Sequence, residues 1–154
     1  MDIWGDIPSW IIAIATPISI LVGFHYAKKQ LMHTKKIEEQ RFLFELDKLF
    51  MSNEHREISR NIYNEIYRSQ PFHIDEDMRG KLSNYLSDLE YLCNLYEEDI
   101  VTKDQLESLE GMQIIEAFRS DAVKSFIEEE RITTNEPDLW STAEKVAKEL
   151  DKTS

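Results

Sequence analysis

The 154-residue sequence has one cysteine, four glycines and four prolines, and only 18 basic residues against 30 acidic ones. A single thiol closes no internal disulfide, which fits a reducing compartment. So few turn formers argue against a β-sandwich with its many tight turns, and against a low-complexity linker. The glycines occur singly, so there is no loop of the P-loop or dinucleotide type to cradle phosphate. The formal net charge of -12 argues against a nucleic-acid binder, because such a surface repels phosphate. The length suits one modest core and is too short for a multidomain enzyme.

What is present begins with an uncharged run. Ile7 to Ala27 holds 21 residues without a formal charge, counting His25 as neutral. As a helix rising about 1.5 Å per residue it covers about 30 Å, the hydrocarbon thickness of a bilayer. Trp4 and Trp10 lie toward one end and Tyr26 at the other, where amphipathic rings favour the headgroup boundary. Pro8 suits a first helical turn, and Pro17 predicts a kink. A cleaved signal peptide would carry positive charge ahead of the run, yet only Asp2 and Asp6 precede it. The A-x-A pattern of Ala13 and Ala15 sits too early in the apolar stretch. Residues 7–27 therefore read as a transmembrane helix. Lys28, Lys29, Lys35 and Lys36 follow closely, which places the N-terminus outside and the remainder in the cytoplasm. The same lysines sit at the low end of what an anionic-lipid cluster requires.

The rest predicts an all-α protein, with a juxtamembrane helix over 28–50 and an acidic helical bundle over 51–154. Phe42, Leu46, Leu49 and Phe50 fall near one face of the first helix. Ser52 or Asn53 caps a second from Glu54 to about Arg68, striped by Ile58, Ile62 and Ile66 with Tyr63 and Tyr67 beside it. After a loop around Pro71, Leu82, Tyr85, Leu86, Leu89, Leu92, Cys93 and Tyr96 form the strongest amphipathic pattern in the chain. Leu89 is expected to be a sensitive core position, and its neighbour Glu90 a solvated, tolerant one. Thr102 and Gln105 offer a capping box for a short helix ending near Gly111. A further helix is expected to carry Ile115, Phe118, Ala122 and Phe126 on one side. The last one is expected to be capped by Thr134 or Asn135, with Pro137 in its first turn and Leu139, Ala143, Val146, Ala147 and Leu150 facing inward.

Chemistry-bearing residues are scattered. D-E-D-M-R-G at 75–80 resembles the opening of a calcium loop, but Arg79 and Leu86 stand where a cation needs oxygen donors. It reads as an acidic helix start. His25, His33, His55 and His73 include no pair spaced for adjacent helical turns, although His73, Asp75 and Asp77 alternate along one loop. Cys93 lies on the apolar stripe, where a thiol is an inert core residue. The runs Glu97, Glu98, Asp99 and Glu128, Glu129, Glu130 read as solvated helix ends, with nothing to select a catalytic pair. No catalytic, cofactor-binding or metal-ligating residue is assigned, and the chain is not expected to be an enzyme.

The segments R-F-L-F-E-L-D-K-L-F-M-S-N-E-H-R-E-I-S-R-N-I-Y, L-S-D-L-E-Y-L-C-N-L-Y and F-I-E-E-E-R, behind one span, resemble a family of small prokaryotic single-pass membrane-anchored helical proteins. That family is grouped as a domain of unknown function, family 4760, and the resemblance covers about residues 7–131. It implies an anchored helical bundle and no activity. After Tyr96 this chain has E-E-D-I where the resemblance implies a glycine turn.

Three functions follow. The first is a membrane-tethered interaction or adaptor protein: residues 37–154 hold 28 acids and 14 bases, so the head should be repelled by anionic lipid and attracted to basic partner surfaces. Solubility alone also accounts for that charge. The second is an accessory subunit of a membrane complex, with Ala13, Ala15, Ser19 and Gly23 permitting close helix approach. The third is an enzyme or metal protein without a recognisable motif.

Overall fold

A computed structural model describes the backbone of residues 9–152 and the side chains of residues 26–152. Six helices account for nearly all of it: α1 (Ser9–Phe50), α2 (Asn53–Arg68), α3 (Glu76–Glu97), α4 (Lys103–Arg119), α5 (Asp121–Thr134) and α6 (Ser141–Asp151). Among the described residues there is no strand, so the chain is all-α. It divides into two compact units, Met1–Leu46 and Asp47–Ser154.

In the first unit, α1 starts at Ser9, inside the expected span, and runs without interruption to Phe50. The side chains of nearly all of residues 7–27 lie outside the described residues. Among the described residues no helix is long and apolar enough to cross a membrane.

The second unit is built on α3, which packs against α2, α4 and α6. Leu82, Leu86, Leu89, Leu92 and Cys93 are completely buried, and Tyr85 is almost so. Leu95 is buried as well, because a helix flanked on three sides hides more than one stripe. Ile58 and Ile62 meet this core from α2, Leu106 and Ile114 from α4, Val146 and Leu150 from α6. Ile66 is only half-buried, and Tyr63 and Tyr67 are exposed. Leu49, expected on the buried face, points outward, whereas Leu46 and Phe50 are buried.

One expected boundary is present as a kink and another moves. The short helix expected to end near Gly111 does break there: the backbone of Glu110 is non-helical (φ -142°, ψ 20°), a kink that divides α4 into two helical pieces, the second running to Arg119. Leu106 before the kink and Ile114 and Ile115 after it are all buried, so both pieces pack into the same core. The chain turns again at Ser120, whose extended backbone starts α5 and whose Oγ accepts the Val123 N–H at 3.1 Å. Ile115 and Phe118 thus belong to α4, and Ala122 and Phe126 to α5.

The boundary that moves is at the last helix. Asn135 does not begin it but ends α5, in the left-handed conformation (φ 57°) that stops a helix. Pro137 lies exposed in the connection, and α6 starts after Trp140, also left-handed at φ 57°. The Trp140 ring is buried, stacked 5.9 Å from Phe126, and its Nε1 donates to Ser87 Oγ at 3.2 Å. That tertiary seat overrides the local preference for a short polar cap.

Candidate functional site

The candidates read from sequence are dispersed over separate structural tasks. Asp75 is the N-cap of α3, its Oδ1 accepting the Met78 N–H at 2.8 Å, and Asp77 pairs with Lys81 at 2.6 Å. His73 and His33 are exposed, and His25 lies outside the described side chains. Glu129 and Glu130 grip Arg79 at 3.0 and 2.5 Å, and Glu97 pairs with Lys145 at 2.6 Å. These acids form ion pairs between helices rather than a catalytic couple. Among the described residues no three His, Cys, Asp or Glu side chains gather as a metal set. Cys93 is buried, and burial pushes its thiol up to about 12, which keeps it protonated and unreactive.

His55 is the exception to this dispersal. Ser52 Oγ lies 2.7 Å from its Nδ1, and Asp88 Oδ2 lies 3.0 Å from its Nε2 without the alignment of a good hydrogen bond. The ring sits edge-on to Phe50 at 5.5 Å and tilted against Tyr85 at 5.2 Å. Burial lowers the imidazole pKa, opposed by the Asp88 charge, and burial likewise raises the Asp88 carboxyl. Serine, histidine and aspartate are the residue types of acyl transfer, but Ser52 Oγ is already engaged as the α2 cap, accepting the His55 N–H at 3.2 Å. The cluster secures the start of α2.

A groove of about 230 Å³ opens among α4, α5 and α6. Its floor is apolar: Ile115 and Phe118 from α4, Ile127 from α5 and Ala147 from α6. Around the rim stand Arg119, Lys124, Arg131 and Lys148 beside Glu128, Glu144 and Asp151, and Asp121, paired with Lys124, brings the two signs into balance. Arg131 is structural, its Nε and Nη2 donating to Leu139 O at 3.0 and 2.8 Å, so it ties the end of α5 to the entry of α6. The other three cations are more open, with side chains 47% (Arg119), 50% (Lys124) and 68% (Lys148) exposed. Arg119 pairs with Asp151, Lys124 with Asp121 at 3.0 Å, and Lys148 with Glu144 at 2.6 Å. Lys148 and then Arg131 hold the Glu144 carboxyl below its usual range.

Both walls of the groove are positioned from elsewhere in the bundle. Glu90 of α3 reaches the start of α6, its oxygens accepting the N–H groups of Thr142 at 3.1 Å and Ala143 at 2.6 Å. Glu65 of α2 does the same for α5, accepting the Ala122 N–H at 2.9 Å and the Ser120 hydroxyl. Glu90 is therefore not the solvated residue expected from its place beside the stripe. A carboxylate at a helix N-terminus satisfies orphan N–H groups and complements the helix dipole.

Residues 11–150 match the family described as Domain of unknown function (DUF4760). The chain belongs to this family. The matched range extends beyond Arg131, where the resemblance in the sequence stops, and takes in nearly all of α6. It thus includes all of the groove's lining but Asp151, and both carboxylate caps, of this DUF4760 chain. No curated protein and no solved structure matches it. Where a glycine turn was expected after Tyr96, Asp99 takes the left-handed conformation (φ 58°), and Ile100 and Val101 donate to Leu95 O at 2.9 and 3.1 Å. Aspartate tolerates this region better than most residues, so the turn forms without glycine.

Sequence reasoning missed Glu65, Glu90 and the groove cations. Lys124 and Arg131 are seven apart on one helix, a signal that was available. Arg119 and Lys148 come from two further helices, and only the packing of α4 on α6 brings them to the same rim.

Proposed function

We propose that this chain is a membrane-tethered helical interaction protein, with residues 7–27 spanning the bilayer, the N-terminus outside and the acidic bundle in the cytoplasm. The observation that carries the reading is the division of charge along α1. A 21-residue uncharged run is followed within nine residues by four lysines, and an acidic bundle comes next. Such a bundle is repelled by the anionic cytoplasmic leaflet and faces protein partners, whose basic surfaces its field attracts. It has no affinity for nucleic acid. The full chain should stay in the membrane pellet through an alkaline wash. A reporter active only on export, fused after Ser154, should be silent. Release of the chain, or an active reporter, contradicts the proposal.

A second reading, an accessory subunit that docks through its span, is favoured by the small residues Ala13, Ala15, Ser19 and Gly23. Exchanging residues 7–27 for an unrelated apolar span separates the two. Protein crosslinks that survive the exchange belong to the bundle, and crosslinks that vanish belong to the span.

A further inference from the structure

We propose that the outer stripe of α2, formed by Arg56, Arg60, Tyr63 and Tyr67, is a docking face for a short carboxylate-rich segment of a protein partner. The proposal rests on the reading of the chain as an interaction protein and names the chemistry of the partner at one face. The four residues follow one another at intervals of four, three and four, the spacing that keeps side chains on one side of a helix. All four are exposed, Tyr63 by 45% and Tyr67 by 51%. The two rings meet at 4.8 Å, and the exposed Arg68 lays its guanidinium over Tyr63 at 5.8 Å. Solubility accounts for exposed charge but not for a pair of half-exposed rings. Arginine and tyrosine are two of the residue types that dominate binding hot spots.

The charge of this stripe is unmatched. The chain has 30 acidic residues for 18 basic ones, yet among the described residues no ion pair involves Arg56, Arg60 or Arg68. The acids of α2 lie off the stripe: Glu57 pairs with Lys81 of α3 at 3.5 Å, and Glu65 is taken up by the start of α5. Arg56 and Arg60, four apart, form a like-charged pair that disfavours the helix. A local rule broken with no gain inside the fold marks a position kept for function. Guanidinium forks match carboxylates at two points, and the tyrosine rings offer apolar surface beside them. From Arg56 to Tyr67 the helix rises about 16 Å at about 1.5 Å per residue, the length of about five residues of extended chain. That length decides between anions. A bilayer or a nucleic acid spreads its phosphates over a wider face and meets the surrounding carboxylates of the acidic bundle as well. A short segment meets the stripe alone, and screening over about 8 Å at physiological ionic strength weakens the repulsion from the rest of the chain.

The test uses the full chain in mild detergent and a rhodamine-labelled peptide of four glutamates around a central leucine, read by fluorescence anisotropy at physiological ionic strength. Saturable binding is expected, and replacing the glutamates by glutamines should abolish it. Arg56→Gln with Arg60→Gln should weaken binding by about tenfold or more, whereas Lys124→Gln with Lys148→Gln, an equal loss of charge on α5 and α6, should change it by less than about twofold. Tyr63→Ala with Tyr67→Ala should weaken it by about threefold or more. All six side chains are exposed, and an unchanged circular dichroism melt confirms that each variant folds.

Absence of saturable binding overturns the proposal, and so does an equal loss in the two charge variants, which would make the effect one of net charge. Photoreactive azidophenylalanine in place of Tyr63, which keeps the ring, separates the occupants in the full chain in its membrane. Adducts to another protein, lost when Arg56→Gln and Arg60→Gln are added, are the expected result. Adducts only to lipid, only to nucleic acid or only to a second copy of the chain overturn the partner segment. Failure of the interaction reading itself looks different: no protein adduct forms from position 63 or from any other exposed position of the bundle. If protein adducts form elsewhere on the bundle and none forms at position 63, the interaction reading stands and the α2 stripe is not its seat.

Discussion

The helices of the bundle begin in two different ways. α2, α3 and α4 are capped by the residue just before them: Ser52 accepts from His55 N–H, Asp75 from Met78 N–H, and Thr102 exchanges bonds with Gln105 in a complete capping box. α6 has no local cap, since Trp140 occupies the position and makes no side-chain bond to the first turn. Its cap is Glu90, 52 and 53 residues away from the amides it serves. α5 lies between these cases, with Ser120 capping locally and Glu65 adding a carboxylate from α2. A local cap stabilises its helix wherever that helix lies. A carboxylate from a neighbouring helix also fixes the register of one helix against another. The helices held in this second way are two of the three that form the groove.

The largest effect expected is at Leu89, completely buried beside Glu90 on α3. Leu89→Ala should cost about 2 to 5 kcal/mol through lost burial and a residual cavity, a large part of the roughly 5 to 15 kcal/mol that holds a domain folded. It sets the scale for the comparison and should lower the melting temperature most. Glu90→Ala should cost about 1.5 to 3 kcal/mol, because it removes charge-assisted bonds to two backbone amides. A loss below about 0.5 kcal/mol, the tolerance expected of a surface position, would return Glu90 to the solvent and erase the distinction. Thr102→Ala, the local counterpart, should cost about 1 kcal/mol, and its denaturation profile should show α4 weakened without loosening of α6.

A pH-dependent effect belongs to Glu110, at the kink in α4. Burial, reinforced by the Asp47 charge, pushes its carboxyl up to about 7. The unfolded carboxyl ionises near 4.5, so between pH 4.5 and pH 7 the folded chain holds more proton than the unfolded one. Stability associated with Glu110 is therefore full below pH 4.5 and lost as pH rises through 7. Glu110→Gln should change stability by no more than about 0.5 kcal/mol at pH 4 and raise it at pH 8. Parallel pH profiles for the two chains would show that Glu110 titrates normally.

How much of this is legible in sequence follows the same division. The capping box at Thr102 and Gln105 and the α3 stripe from Leu82 to Cys93 are local patterns with fixed spacing, and both are present in the structure. The break expected near Gly111 is present as the kink at Glu110, and Ser120, which starts α5, is an equally local signal. Trp140 has no cap chemistry at all. Its position follows from Phe126 and Ser87 on other helices, so no window around residue 140 contains the reason. Glu65 and Glu90 look like any helix-surface acid until their distant amides are in place. The groove shares this property, for its cations come from three helices and its apolar floor reads only as core.

The most direct measurement is amide hydrogen exchange at Thr142 and Ala143, resolved by NMR in the full chain and in the Glu90→Gln chain. First-turn amides have no partner within their own helix, so protection there reports a partner from outside. Slow exchange at both amides in the wild-type chain, lost selectively in Glu90→Gln while the Gln105 amide keeps its protection, is the expected result. Thr142 and Ala143 exchanging at the rate of open amides in the wild-type chain would contradict the positioning of α6 by α3.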